Sequence, residues 1–299
     1  MGKISEQMIK QYEVAHWQYQ VIFAEGGKNG PELLPSSEPF LVPVDDEKVG
    51  FRLYVDDTFR PAHRGEEIGQ FDCGGNNHGV YQSEDGKYQI QISDVYGRQC
   101  ALIEATADFS EAHVALNGDQ RGRAFGLNNT LMMVFAFAFA DRDTVLMHAS
   151  VVRKDGYGYP FLGVSGTGKS THTSNWMRYI DGCDLLNDDN PALRIIDGKA
   201  IIYGTPWSGK TPCYRKEEAP VGAFVQLKQA PHNKIRRQTV IEAFASLLPS
   251  CSVMKWDARD YGGVCTTMQK IIETVPTYYL ENLPDEAAVQ LSYSTIRAV

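Results

Sequence analysis

The stretch that decides the fold is Gly163-Val164-Ser165-Gly166-Thr167-Gly168-Lys169-Ser170. It fills every fixed position of the phosphate-binding pattern G-x-x-x-x-G-K-[ST]. The apolar run at 159–162 before it is typical of a buried strand, and residues 170–180 after it contain no Gly or Pro and favour a helix. Strand, loop and helix therefore follow one another in the order that a phosphate loop requires.

The residue types of this loop predict nucleotide binding. Its glycines permit backbone angles at which consecutive N–H groups line a concavity for phosphate oxygens, and the helix adds its positive dipole end. Lys169 supplies a compact cation for the β- and γ-phosphates, and the Ser170 hydroxyl is a hard ligand for the accompanying magnesium. A merely flexible Gly-rich turn is the alternative, but it does not explain Lys-Ser in register. The expected nucleotide-binding residues are Gly163, Ser165, Gly166, Thr167, Gly168, Lys169, Ser170 and Thr171.

Two adjacent carboxylates, Asp188 and Asp189, end the next apolar run, at 185–187. Adjacent residues at a strand end point in different directions, so one can hold a metal while the other accepts the proton of an attacking hydroxyl. We expect Asp189 to bind the metal with Ser170, and Asp188 to be the catalytic base. The alternative is that Asp-Asp-Asn-Pro is a solvated turn, which such residues also favour.

His148 stands in the apolar run 144–152, which predicts a single strand. Met147-His148-Ala149-Ser150, followed by the loop and the Asp pair, resembles the kinase core of HPr kinase/phosphorylase and of the ATP-dependent phosphoenolpyruvate carboxykinases. The resemblance implies a P-loop kinase domain that uses ATP with Mg²⁺ or Mn²⁺. It implies catalytic roles for Asp188, His148 and Lys169, metal binding by Ser170 and Asp189, and a possible homo-oligomer.

The segment 203–210 departs from the HPr kinase pattern. HPr kinases place a further acidic residue after a later strand, whereas this segment, Tyr-Gly-Thr-Pro-Trp-Ser-Gly-Lys, contains no carboxylate. It resembles a looser group of HPr-kinase-like proteins with a similar Gly-Thr-Pro-Trp segment. Its Gly-Lys pair and nearby Arg215 suggest a basic, aromatic-rimmed lip over the phosphates or the substrate. Arg236 and Arg237 are either a second source of positive charge for the transition state or a basic surface turn, which we slightly favour.

Three functions remain open on the sequence. The first is an ATP-dependent phosphotransferase whose hydroxyl acceptor is a protein serine or a small molecule. The second is carboxykinase-type phosphoryl transfer, although no segment before His148 matches the acid-binding groups of that family. The third is a regulatory protein that binds nucleotide without turnover.

Composition sets outer limits on partners and location. The 299 residues carry a net charge of -8, which argues against a general nucleic-acid binder. The longest apolar stretch, 131–140, is about half a membrane span and predicts a buried helix, and the start of the chain has no signal-peptide core. The six cysteines include no C-x-x-C pair or zinc spacing, so we expect reduced thiols in the cytoplasm.

The overall expectation is an α/β protein with a mixed sheet in its P-loop domain, 126–299, preceded by a smaller β-rich domain, 1–125. We expect one helix near 4–23 and an antiparallel meander over 79–105. The stretch 72–78 is expected to be a plain turn rather than a metal or substrate loop, and His172 to be exposed. The remaining expected elements are a helix from 128, a hairpin of 192–196 with 200–203, strands at 221–227 and 277–280, and helices at 240–248 and from 284.

Overall fold

A computed structural model describes residues 8–63, 65–72, 77–209 and 211–297. The chain divides into two compact units, Met1–Ala138 and Phe139–Val299. The division falls at the end of a helix, Gln120–Ala138, and the boundary expected at residue 125 lies inside that helix.

The first unit is built on a sheet that has nine strands within the described residues. In chain order they are β1 (Met8–Val14), β2 (Trp17–Phe23), β3 (Leu41–Val42), β4 (Val49–Val55), β5 (Glu66–Asp72), β6 (Asn77–Gln82), β7 (Tyr88–Ser93), β8 (Gln99–Ala105) and β9 (Glu111–Leu116). The spatial order is β3-β1-β2-β4-β9-β8-β7-β6-β5, with parallel pairing only at β2–β4 and β4–β9 among these strands. The helix α1 (Gln120–Ala138) packs on this sheet. It approaches β8 closely because Gly126 has no side chain: a Cβ there would lie 2.7 Å from Cys100 O.

The helix predicted near 4–23 is wrong, because residues 8–23 form the antiparallel hairpin β1–β2. Tyr12 and Val14 of β1 are buried on either side of half-buried Glu13, as expected for a strand with one covered face. β2 is instead buried continuously from Tyr19 to Phe23. The turn at Ala15-His16 has positive φ at both positions but neither Gly nor Asn. The usual hairpin signal is therefore missing from the sequence. The meander predicted over 79–105 is confirmed by the antiparallel pairs β6–β7 and β7–β8.

The second unit is a mixed α/β layer structure. Its strands are β10 (Thr144–Leu146), β11 (Ala149–Lys154), β12 (Tyr157–Leu162), β13 (Asp184–Asp189), β14 (Ala192–Ile196), β15 (Lys199–Tyr203), β16 (Glu218–Pro220), β17 (Phe224–Gln229), β18 (Lys234–Arg237) and β19 (Thr277–Asn282). Its helices are α2 (Lys169–Tyr179), α3 (Val240–Leu247), α4 (Ala258–Thr274) and α5 (Glu286–Ile296). The described strands form a larger sheet in the order β13-β11-β12-β17-β19-β18 and a smaller one in the order β10-β14-β15-β16. The pairs β12–β17 and β17–β19 are parallel and the others antiparallel, so the larger sheet is mixed as expected.

Neighbouring residues of the central strands belong to different cores on the two faces of the larger sheet. Phe161 packs against Trp176 of α2 on one face, and Leu162 belongs to the core that includes Met268 of α4 on the other. The first core also includes α5, and the second includes α3 and the smaller sheet. Because both faces of the larger sheet are covered, its central strands appear in the sequence as continuous apolar runs. None of the helices in the described part of the chain combines the length and apolar character that a membrane crossing needs.

Two further expectations differ from the structure. Residues 144–152 are not one strand, because β10 and β11 belong to different sheets and Met147-His148 lies between them. The backbone turns there to bond elsewhere: Met147 N donates to Pro191 O, and His148 N to Ser250 O. The helix α4 was not expected, since it contains the adjacent glycines Gly262 and Gly263.

Candidate functional site

The loop 163–168 leaves the carboxyl end of β12 and leads directly into α2. Its glycines occupy the left-handed region, with φ of 151° at Gly163, 82° at Gly166 and 98° at Gly168. A Cβ on Gly163 would lie 2.8 Å from Thr167 Oγ1, so a side chain at this position would be both strained and crowded. The parallel neighbours β17 and β19 end at the same edge of the sheet, which is where ligands of open α/β sheets bind.

Hydrogen bonds hold the tip of the loop. Thr167 N donates to Val164 O at 3.2 Å, and the Thr167 hydroxyl donates to the same oxygen. From the end of β17, Gln229 Nε2 donates to Gly166 O at 3.2 Å. Because the Gly166 carbonyl oxygen accepts this hydrogen bond from Gln229, the Gly166 peptide is restrained in one orientation.

The Lys169 ammonium lies inside the loop. Its side chain is buried, and Nζ donates to Gly163 O at 2.9 Å. Burial lowers the pKa of Lys169, while the negative charges of Asp189 and Asp188 act in the opposite direction. A phosphate entering the loop would find this cation in place.

Asp188 joins three parts of the site. Asp188 is 4% exposed, and its Oδ1 accepts a hydrogen bond from the Ser170 hydroxyl at 2.9 Å. Oδ2 accepts from the backbone N–H of Thr211 at 3.3 Å. The first residues of α2, the end of β13 and the segment after Ser208 are thereby joined through one side chain.

Asp189 faces His148 instead. The antiparallel register of β11 and β13 sets Ala149 opposite Asp189, so the residue before Ala149 reaches the carboxylate. His148 Nε2 lies 3.1 Å from Asp189 Oδ1, with both side chains about two-fifths exposed, and Asn190 Nδ2 donates to Oδ2 at 2.8 Å. Asp189 has a φ of 129°, a conformation that a residue with a side chain rarely adopts. Such strain persists only where the surrounding structure fixes it, and it is concentrated at functional sites.

A buried hydrogen-bond network holds the residues on both sides of the Asp pair. The Thr205 hydroxyl, fully buried, donates to Asn190 O at 2.7 Å and accepts from Asn187 Nδ2 at 3.1 Å and Trp207 N at 3.2 Å. Asn187 Oδ1 in turn accepts from Asn190 N at 3.1 Å. The residues on both sides of Asp188-Asp189 are thus held by one threonine of the Gly-Thr-Pro-Trp segment.

Gly209 allows this segment to lie against the Asp pair. A Cβ on Gly209 would lie 3.0 Å from Asp189 Cβ and 3.2 Å from Asp188 O. Gly209 N donates to Asp188 O, and the Ser208 hydroxyl donates to Thr211 O at 2.6 Å. A side chain at this position would push the Asp pair by a few tenths of an ångström.

The structure brings together the predicted loop, His148, Ser170, Asp188 and Asp189 at one edge of the sheet. In detail it pairs Ser170 with Asp188, whereas we expected Ser170 and Asp189 to be metal partners. Several contributing residues were not given a role from the sequence. Thr205 and Ser208 lie within the 203–210 segment, whose expected role was different, and Thr211 and Gln229 belong to no motif.

The expected basic lip is wrong in its described part. Arg215 donates to Asp184 Oδ2 at 2.6 Å, at the opposite end of β13 from the Asp pair. Trp207 is 1% exposed, so its ring cannot form the edge of an open site. Lys210 lies outside the described residues. Arg236 pairs with Glu242 at the start of α3. Arg236 and Arg237 are exposed, but they lie on strand β18, so the surface turn that we slightly favoured is wrong.

His172 is buried, contrary to expectation, and packs edge-on against the ring of Phe161. Burial lowers the pKa of His172 to about 4, so the neutral imidazole is part of the core. Of the stretch 72–78, which we expected to be a turn, residues 73–76 lie outside the described part of the chain.

Oxygen ligands of the type that Mg²⁺ prefers are present at the loop. Ser170 and Asp188 contact each other, and Asp189 follows in sequence. Over the described ranges, no group of three or more His, Cys, Asp or Glu side chains could hold a metal by itself. The donor set therefore fits a magnesium ion that shares its ligands with water and nucleotide phosphates, as is usual for this ion.

No family model matches this chain, and no curated protein matches it. Among solved structures, the chain is similar to the HPr(Ser) kinase/phosphatase from Coxiella burnetii. The similarity has a TM-score of 0.30 and 14% sequence identity, and covers 51% of this chain and 99% of that chain. The function is accordingly argued from the residues of the site itself.

Proposed function

We propose that this chain is a P-loop phosphotransferase that moves the γ-phosphoryl group of Mg-ATP to a hydroxyl acceptor. The observation that carries the proposal is the hydrogen bond between Ser170 and Asp188, 2.9 Å long. P-loop enzymes hold Mg²⁺ between the loop Ser or Thr and a carboxylate at a strand end. A Gly-rich turn that bound no nucleotide would not need the Ser170 hydroxyl and the Asp188 carboxylate to be in contact.

Each residue of the site has a proposed task. The N–H groups of the loop and Lys169 bind the phosphates, and Ser170 with the Asp pair holds the metal, which would neutralise charge on the β- and γ-phosphates. A carboxylate of the pair takes the proton of the acceptor hydroxyl. His148, 3.1 Å from Asp189, orients that carboxylate or contacts the γ-phosphate. Positioning and electrostatics supply most of the acceleration in such reactions.

The test begins with nucleotide binding. Calorimetric titration with Mg-ATP compares the native chain with Lys169→Met and with a matched control, Lys199→Met, whose lysine is exposed on the β14–β15 hairpin. We expect Lys169→Met to lose at least tenfold in affinity, because a buried cation beside the phosphates is removed. Lys199→Met should bind like the native chain.

Transfer is then measured with γ-labelled ATP and a cell extract as the source of acceptors. We expect label to reach an acceptor with the native chain and not with Asp188→Asn. Tight binding without transfer or hydrolysis would instead support a regulatory nucleotide-binding protein. Equal binding by the native chain and Lys169→Met would refute the phosphate-loop interpretation altogether.

A further inference from the structure

Thr211 is an exposed threonine whose backbone is bound to the Asp pair. Its N–H donates to Asp188 Oδ2 at 3.3 Å, which holds the residue beside the carboxylate. Asp188 Oδ1 accepts from Ser170, the proposed metal ligand. Thr211 and Ser170 therefore contact the two oxygens of a single carboxylate.

The other hydroxyls around the pair are already engaged. The Ser208 hydroxyl donates to Thr211 O at 2.6 Å and lies 3.1 Å from Asp188 O. Thr205 is fully buried in the network beneath the pair. Thr211 differs from both, because it is exposed and its backbone N–H contacts the carboxylate directly.

We propose that Thr211 is an acceptor of the γ-phosphoryl group, so that the chain phosphorylates itself beside its own Asp pair. The proposal rests on the proposed function and specifies one acceptor as a threonine hydroxyl. The Thr211 oxygen would form a bond to the γ-phosphorus as the bond from that phosphorus to the β–γ bridging oxygen breaks. ADP leaves with the electron pair, and the hydroxyl proton passes to a carboxylate of the Asp188–Asp189 pair.

Transfer within one chain follows from the short connection. Thr211 is bound to Asp188 by its own backbone, and Gly209 N, two residues earlier, donates to Asp188 O. These contacts give the hydroxyl a high effective concentration at the site without a second molecule. The labelled fraction of chains at a given time should therefore not depend on protein concentration.

The experiment incubates the full chain with γ-labelled Mg-ATP and locates phosphate by peptide mass spectrometry. We expect up to one phosphate per chain, on Thr211, at a rate unchanged over a tenfold range of protein concentration. Thr211→Val and Asp188→Asn should lose the label. Thr211→Ser should keep it as phosphoserine at position 211, which shows that the substituted chain is folded and active. Thr266→Val, at an exposed threonine of α4, is the matched control and should be labelled like the native chain.

The outcomes separate this proposal from the proposed function. Label on an added acceptor but not on residue 211 would overturn self-phosphorylation and leave the phosphotransferase standing. Label on another residue, or a labelled fraction that rises in proportion to protein concentration, would likewise overturn it. Nucleotide binding without label on the chain or on any acceptor would overturn both.

Discussion

Replacing Thr205 by valine tests whether the buried network holds the Asp pair. Valine keeps the shape of the side chain and removes three hydrogen bonds, to Asn190 O, Asn187 Nδ2 and Trp207 N. At about 1 kcal/mol net for each bond, and somewhat more where a buried donor loses its partner, the loss in the free energy of unfolding should be roughly 3–4 kcal/mol. Because the residues flanking Asp188 and Asp189 are released as well, affinity for Mg-ATP should also fall.

Urea unfolding of the full chain, followed by near-ultraviolet circular dichroism, measures the first effect, and calorimetric titration with Mg-ATP the second. Thr266→Val is the matched control, because its exposed hydroxyl bonds only within α4, to Gly262 O. Its expected cost is within about 0.5 kcal/mol, as for ordinary surface substitutions. If Thr205→Val lost no more stability than Thr266→Val, the network would not be the support that we infer.

Three further predictions concern other parts of the second unit. Gly262→Ala should raise the free energy of unfolding by about 0.5–1 kcal/mol, since a Cβ there meets open space in α4; a lower melting temperature would contradict this. Burial raises the pKa of Asp260 to about 7 from an ordinary value of 3.8, so the folded chain keeps a proton that the unfolded chain releases. Stability should therefore fall as pH rises from about 4 to 7, by at most about 4 kcal/mol, and Asp260→Asn, compared by urea titrations across that range, should flatten the fall. Arg236→Ala should change the rate of phosphoryl transfer by less than twofold, because the Arg236 guanidinium pairs with Glu242. A tenfold loss of rate would indicate that Arg236 contacts the phosphates instead.

The conformation of the loop 163–168 was predictable because the residues that determine it are consecutive in the sequence. Gly163 and Lys169 stand at fixed positions of one motif, and the structure gives them the backbone angles and the contact that the motif implies. The strands around the loop were predictable for a similar reason. Burial on both faces of the sheet leaves continuous apolar runs in the sequence.

The rest of the site could not be predicted because it is made by residues distant in sequence. Thr205 and Gln229 contact the site only after β13 and β17 have taken their places in the second unit. The hairpin at 8–23 was missed because its turn, Ala15-His16, uses residues that rarely adopt positive φ. His172 was misplaced because a polar residue on a helix is ordinarily exposed, and here the ring of Phe161 covers it.

The place of β12 inside the sheet has a consequence for the synthesis of this protein on the ribosome. β12 ends at Leu162, but its parallel partner β17 begins only at Phe224, 62 residues later. At about 5–20 residues per second, the loop strand waits roughly 3–12 s for this neighbour to emerge. During that interval one of its edges has unpaired N–H and C=O groups, the feature that invites aggregation with other nascent chains. The proposed nucleotide site is therefore completed late, and a ribosome that stalls before residue 224 should release a fragment in need of a chaperone.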